Sequence, residues 1–266
     1  MPYSDDFESY TSEVLPRYTQ DQSGVFEVKQ EAGNKVLRQV APEKGIEWHF
    51  RLNPDPVTIL GDTLMTNYSV SIDVKLEKPN EYAAVYGRIG KVIQTNIEPP
   101  YSYWFRVKGD GTWQLGKTEA VLKQGSINLQ ESWPLLQLSF NDHTRNAVRF
   151  IYQDINDMDT KTQNLFPGLK PILSAETDPE SVGLVVYRDG NYYICRENIL
   201  KSGQASFDLS TWNNLKMKMK GNQISAFLNR QLITTITDNS YSHGLAGFGC
   251  GWHEAGFDNL LIGAVD

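Results

Sequence analysis

Strict alternation of apolar and polar residues restricts the fold of this chain more than any other feature. Ser69-Val70-Ser71-Ile72-Asp73-Val74-Lys75-Leu76 puts Val70, Ile72, Val74 and Leu76 on one side of an extended segment. Leu136-Gln137-Leu138-Ser139-Phe140, Leu215-Lys216-Met217-Lys218-Met219 and Ile224-Ser225-Ala226-Phe227-Leu228 repeat the pattern. Tyr103-Trp104-Phe105-Arg106-Val107 is aromatic and β-branched, and Lys108-Gly109-Asp110-Gly111 is a turn signal before Thr112-Trp113-Gln114-Leu115. Asn229-Arg230 turns the chain into Gln231-Leu232-Ile233-Thr234-Thr235-Ile236. Many short strands with turn residues between them, and almost no helical period, predict an all-β sandwich or barrel.

Size and charge narrow the function. At 266 residues such a sandwich buries roughly 70–75% of the surface its unfolded chain exposes, and needs no disulfide staples. The 30 aromatics (6 Trp, 13 Tyr, 11 Phe) rule out disorder. A formal charge of −7 argues against nucleic acid and anionic membrane surfaces, which both select for basic patches. Apolar runs such as Leu135–Leu138 and Leu184–Tyr187 are too short to span a bilayer. Polar Tyr3-Ser4-Asp5-Asp6 directly after the start gives no expectation of a leader. Cys195 and Cys250 either pair or stay reduced, and Asn67-Tyr68-Ser69 is a glycan acceptor in a secreted chain.

The middle of the chain holds an internal match. Asp110-Gly111-Thr112-Trp113-Gln114-Leu115 aligns with Asp189-Gly190-Asn191-Tyr192-Tyr193-Ile194, then Leu122-Lys123-Gln124-Gly125 with Leu200-Lys201-Ser202-Gly203. Trp133 with Leu136 and Leu138 aligns with Trp212, Leu215 and Met217, so both tryptophans are expected to open core strands. Two copies are too few for a solenoid. The expectation is a single domain over 1–266 with an insertion or partial duplication around 142–183. Asp154-Ile155-Asn156-Asp157-Met158-Asp159 begins like a calcium loop, but its sixth and twelfth places hold Asp159 and Leu165, so it reads as an acidic surface loop.

The ends carry the most specific signal. The chain opens with Asp5-Asp6-Phe7-Glu8-Ser9-Tyr10, Leu15-Pro16-Arg17-Tyr18 and Asp21-Gln22-Ser23-Gly24-Val25-Phe26-Glu27. Leu37-Arg38-Gln39-Val40, Ile46-Glu47-Trp48, Gly61-Asp62 and Thr66-Asn67 follow, and Gly247-Phe248-Gly249 and Phe257-Asp258-Asn259-Leu260 close it. In combination these segments resemble the C-terminal lectin-like domain of galactocerebrosidase (galactosylceramidase), over about 4–115 and 205–262. The resemblance implies an all-β antiparallel jelly-roll sandwich, concanavalin-A-like or laminin-G-like, with terminal strands side by side. It implies a carbohydrate or glycolipid ligand, a catalytic β/α-barrel domain of the same parent protein as partner, and a secreted, periplasmic or lysosomal setting. It also implies that the two terminal Asp-Phe segments bracket a structural calcium. Asp6 and Asp258, then Glu27, are the expected carboxylates, against the plainer reading that Asp258 makes a turn with Asn259.

Catalysis by the chain alone is not expected. A jelly-roll glucanase carries Glu-x-Asp-x-Glu on one strand face, and no such triplet occurs. No alternating strand–helix pattern, Gly-x-Ser-x-Gly elbow, phosphate loop or His-Glu-x-x-His helix occurs either. Recognition remains. Sugar rings offer flat C–H faces with polar edges, so lectins pair an aromatic plate with amide, arginine or carboxylate groups. Tyr103, Trp104, Trp113, Trp252 and His253 are the candidates for carbohydrate contact, each weighed against plain core packing. Arg88, in a Gly-Arg segment that resembles the family's, is the candidate charged contact. Three readings stand: a lectin-like module, a laminin-G-like protein-interaction domain, and a free-standing jelly-roll glycosidase.

Overall fold

The computed structural model describes residues 2–11, 13–43, 55–90, 101–123, 147–150, 181–187 and 192–265, with backbone alone at 120–123, 147–150, 181–187 and 192–196. Trp133, Leu136–Phe140, Asp154–Asp159 and most of 142–183 lie outside the described residues.

Among the described residues every regular element is a strand, and the strands form two antiparallel sheets. The first runs, in space, β15 (Gln231–Thr237), β14 (Gln223–Leu228), β13 (Asn213–Lys220), β6 (Tyr68–Lys75), β17 (Ala255–Ala264), β4 (Asn34–Gln39) and β3 (Phe26–Glu31). The short β1 (Tyr3–Asp5) also lies on β17, with Asp5 opposite Leu260, while β4 takes the other half of that edge. The terminal strands therefore sit side by side. The second sheet runs β10 (Ala147–Phe150), β11 (Ser181–Tyr187), β12 (Tyr192–Gln204), β9 (Thr112–Lys123), β8 (Ser102–Lys108), β7 (Tyr82–Ile89), β16 (Leu245–Cys250), β5 (Val57–Leu60) and β2 (Gln20–Ser23). The chain is an all-β jelly-roll sandwich.

Alternation supplies the core. Val70, Ile72 and Val74 on β6 and Leu215, Met217 and Met219 on β13 are fully buried, and the register sets Met217 opposite Val70 and Leu215 opposite Ile72. The second sheet answers with Tyr103, Phe105, Val107, Leu115 and Phe248. Phe248 meets Phe26 edge-on at 6.2 Å and Phe257 at 5.2 Å between ring centres, which ties the sheets together through rings. Burying one such side chain is worth about 1.5–3 kcal/mol relative to exposing it.

Trp212 departs from the expected core position. Asn213 is the residue that β13 turns inward; it has no exposed surface and donates to the Asp208 and Thr211 carbonyls. Trp212, one place earlier and of opposite parity, is half-buried and lies over Gly256, where a Cβ would stand 3.0 Å from its ring.

The two matched segments pair with each other. β9 and β12 run antiparallel, with Lys123 opposite Tyr192, Thr118 opposite Glu197 and Thr112 opposite Gln204. β8 flanks β9 on one side, and β11 flanks β12 on the other. Two like hairpins thus meet through equivalent strands, around a local two-fold centred near Thr118 and Glu197.

Candidate functional site

The outer face of the nine-stranded sheet follows from the parity of its strands. Ala83, Val85, Tyr103, Phe105, Val107 and Leu115 point into the core. Tyr82, Tyr86, Trp104, Arg106, Gln114 and Gly116 therefore take the opposite face. The register aligns Tyr86 with Trp104 and Gly116 in one row and Arg106 with Gln114 in the next. Glu197 joins this face from β12 because it pairs with Thr118, two places beyond Gly116.

Arg106 organises the face. Its guanidinium carbon lies 4.7 Å from the ring centres of both Tyr82 and Trp104, and it donates to both Glu197 oxygens, at 3.2 and 3.0 Å. A planar guanidinium held by two rings and a two-point carboxylate contact has one orientation. Burial works against its charge, but Glu197 and the neighbouring phenols outweigh burial and raise its pKa. Burial, above all, pushes the Tyr82 and Tyr86 phenols upward. Tyr82 also hydrogen-bonds Asp55.

Two polar atoms of this cluster lack partners. Trp104 Nε1 and Arg106 Nε are buried and make no hydrogen bond among the described residues. An orphaned buried donor costs free energy unless water or a ligand meets it. The Trp104 ring lies across Gly116, where a Cβ would come within 2.4 Å of it, so the bare glycine gives the indole its seat.

The sequence candidates divide. Trp104 belongs to the face but has no exposed surface; it supports Arg106 from beneath instead of meeting solvent. His253 stands at its margin, its Nε2 3.1 Å from the Tyr82 carbonyl and its ring edge-on to Tyr82 at 6.1 Å. Trp252 beside it is half-buried, and its buried Nε1 has no partner among the described residues. Tyr103 and Trp113 point the other way. The Tyr103 hydroxyl donates to Asp238 at 2.5 Å, and burial, then Asp238, pushes its pKa up to about 12. Trp113 is 8% exposed and packs over Gly203 in the core.

Arg88 is a correction. It is 1% exposed, and its guanidinium donates to the carbonyls of Thr66, Gly221 and Tyr241 at 2.9, 2.7 and 2.8 Å. A bulge explains this: β7 spends two residues, Gly87 and Arg88, opposite the single Ala246, and Arg88 adopts φ +51°. The side chain expected on the sugar face is thereby aimed between the sheets. It clamps three loops and cannot meet a ligand in this fold.

The expected calcium carboxylates do not converge. Asp258 accepts from Asn34 Nδ2 and the Asn259 amide, Glu27 holds the Lys29 ammonium at 2.7 Å, and Asp6 accepts from the Glu8 amide. Bound N–H groups and an ammonium occupy the oxygens a hard cation needs. No group of three His, Cys, Asp or Glu suited to a metal occurs among the described residues. These residues do not fit the ion.

Arg106, Glu197 and Tyr82 were not candidates from the sequence. The spacing of Trp104 and Arg106, two apart between buried Tyr103, Phe105 and Val107, placed them on one face. Glu197 required the β9–β12 pairing, which no local pattern shows.

Several solved structures are similar to this chain at low identity. The carbohydrate-binding module CBM66 from Bacillus subtilis is 10% identical, with 93% of this chain and 96% of that one covered and a TM-score of 0.49. A β-glucanase from Bacillus licheniformis is 10% identical over 100% and 98% of the two chains, with a TM-score of 0.48. A galectin from Caenorhabditis elegans is 9% identical over 82% and 99%, with a TM-score of 0.38. No curated protein sequence matches the chain. A family described as "Galactocerebrosidase, C-terminal lectin domain" matches residues 21–163 and 180–265. The two matched stretches take in β2 to β17, both sheets and the Arg106 cluster, and the chain belongs to the family of galactocerebrosidase C-terminal lectin domains.

Proposed function

We propose that the chain is a non-catalytic lectin-like module whose sugar face is the outer surface of the nine-stranded sheet, and that its ligand is the galactosyl headgroup of a glycolipid. The observation that carries this reading is Arg106, fixed between Tyr82 and Trp104 and paired with Glu197. Half-buried Tyr82 and Tyr86 offer ring faces to sugar C–H groups, while Glu197 and Gln114 offer acceptors and a donor to hydroxyls. Family membership supports the lectin-like role. In a parent enzyme this face would hold the lipid-linked sugar beside a β/α-barrel that performs the hydrolysis.

Titration with methyl β-D-galactopyranoside and with galactosylceramide in neutral vesicles tests it. Binding is expected for both, and Glu197→Gln is expected to weaken it about tenfold, or about 1.4 kcal/mol, with folding retained. Absence of binding by a folded chain that captures a protein partner tightly would favour the laminin-G-like alternative. Turnover of a chromogenic galactoside by the chain alone would sink the non-catalytic assignment.

A further inference from the structure

A second cleft opens where the termini meet. It measures about 660 Å³ and is lined by Tyr3, Tyr10, Tyr18, Asp6, Arg17 and Asn259, among others. It adjoins the β1–β17 pair of the first sheet, so it shares no lining residue with the Arg106 cluster on the second.

The floor of this cleft is rigid. Tyr3 and Tyr10 hydroxyls both donate to Asp5 Oδ2 at 2.7 Å, and Asp5 Oδ1 accepts from the Phe7 amide at 2.9 Å. The Arg17 backbone closes the ring: its carbonyl lies 3.1 Å from the Tyr3 hydroxyl and shares the proton given to Asp5, and its amide donates to the Tyr10 hydroxyl at 3.1 Å. Asp5 is therefore consumed in building the floor. The groups that remain free face outward. Among the described residues the Arg17 guanidinium has no ion-pair partner and the Asp6 carboxylate accepts from the Glu8 amide alone.

Tyr18 forms the wall. It is 77% exposed, stands edge-on to Tyr3 at 6.1 Å, and has φ +65°. A bulky side chain in the left-handed region costs about 1–3 kcal/mol and persists where surrounding contacts impose it. Tyr3 and Tyr10 hold the adjoining Arg17 backbone, and the ring stands in solvent beside a cation and a carboxylate that have no ion-pair partner among the described residues. A ring face with a donor and an acceptor at its edge fits a ligand with an apolar face and vicinal hydroxyls. The opposite charges of Arg17 and Asp6 balance, which selects against a sulfated or carboxylated sugar.

We propose that this cleft is a second carbohydrate site, for a neutral pyranose seated against Tyr18 with its hydroxyls between Arg17 and Asp6. It stands whether or not the sheet face binds sugar. Amide NMR of the full chain tests it, with methyl β-D-galactopyranoside and methyl β-D-glucopyranoside as probes. The expected result is saturable shifts at the Tyr18 and Asn259 amides that survive Glu197→Gln, disappear in Tyr18→Ala and weaken about tenfold in Arg17→Ala. Tyr18 and Arg17 are exposed, and an unchanged spectrum elsewhere verifies the variants. Shifts confined to Gly116 and Gly247 would overturn the second site and leave the sheet face standing. Shifts confined to Tyr18 and Asn259 would do the reverse, and shifts at neither would overturn both. Shifts at Tyr18 that Tyr18→Ala leaves in place at Asn259 would also overturn it.

Discussion

Arg88 shows how one backbone angle decides what a charged side chain can do. With ordinary strand geometry it would follow Tyr82, Ala84 and Tyr86 onto the outer face. At φ +51° and opposite a bulge it goes inward and ties Thr66, Gly221 and Tyr241 together. Its amide donates to the Tyr68 hydroxyl at 2.5 Å, so the same residue also fixes β6 to β7. Burial lowers the Arg88 pKa, yet an arginine keeps its charge through the usual pH range. Arg88→Met preserves the stem and removes the donors. Because bonds to a charged group are worth about 1.5–3 kcal/mol each and three part-buried carbonyls lose theirs, a loss of about 3–5 kcal/mol is expected. Urea unfolding reads this as a lower midpoint at unchanged slope. Galactoside affinity of the folded fraction should stay unchanged, and a selective loss of binding at full stability would restore Arg88 to the ligand. Nothing in Gly87-Arg88-Ile89-Gly90 signals the bulge, since it depends on which residue of β16 lies opposite.

The strands themselves were legible. Val70, Ile72 and Val74, and Leu215, Met217 and Met219, point where period two puts them, because a half-buried antiparallel strand gives its pattern directly to the core. Pairing partners were less legible. The matched segments suggested a duplication, but local sequence cannot show that β9 and β12 lie against each other, nor that Glu197 meets Arg106 as a result. The face depends on this element pair through Gly116. A Cβ there would lie 2.4 Å from Trp104 Cζ2 and 2.7 Å from the Asn198 carbonyl oxygen, and the oxygen belongs to backbone that a strand pairing holds still. Gly116→Ala is therefore expected to push the indole and the stacked Arg106 outward. Overpacking of this kind costs about 1–3 kcal/mol. Weaker galactoside binding should accompany it, with altered Trp fluorescence as the local report. Unchanged fluorescence and affinity would mean that Trp104 takes no part in holding the face.

At the scale of the whole molecule, closure of the sandwich depends on its two ends. β1 covers only half of the β17 edge, yet the second residue after it, Phe7, has no exposed surface and joins the main core. Phe7 reaches that position at φ +58°, held by the Asp5 carboxylate on its amide. Alternation carries no sign of Phe7 as core, since it follows a three-residue strand and turns inward through an irregular angle. Truncating a buried phenylalanine to alanine costs about 3–5 kcal/mol. For a chain of this size, each kcal/mol shifts Tm by roughly 2–4 °C, so Phe7→Ala should lower Tm by about 6–20 °C. The floor of the terminal cleft hangs on the same turn, through Asp5, Tyr3 and Tyr10. Loosening it should weaken pyranose-induced shifts at Tyr18 and Asn259 well below the melting range while leaving Gly116 unaffected. If Phe7→Ala instead melts as the wild-type chain does, the terminal segment is a detachable flap. A cleft built on a flap has no preorganised floor, and the second site would lose its physical basis along with the closure.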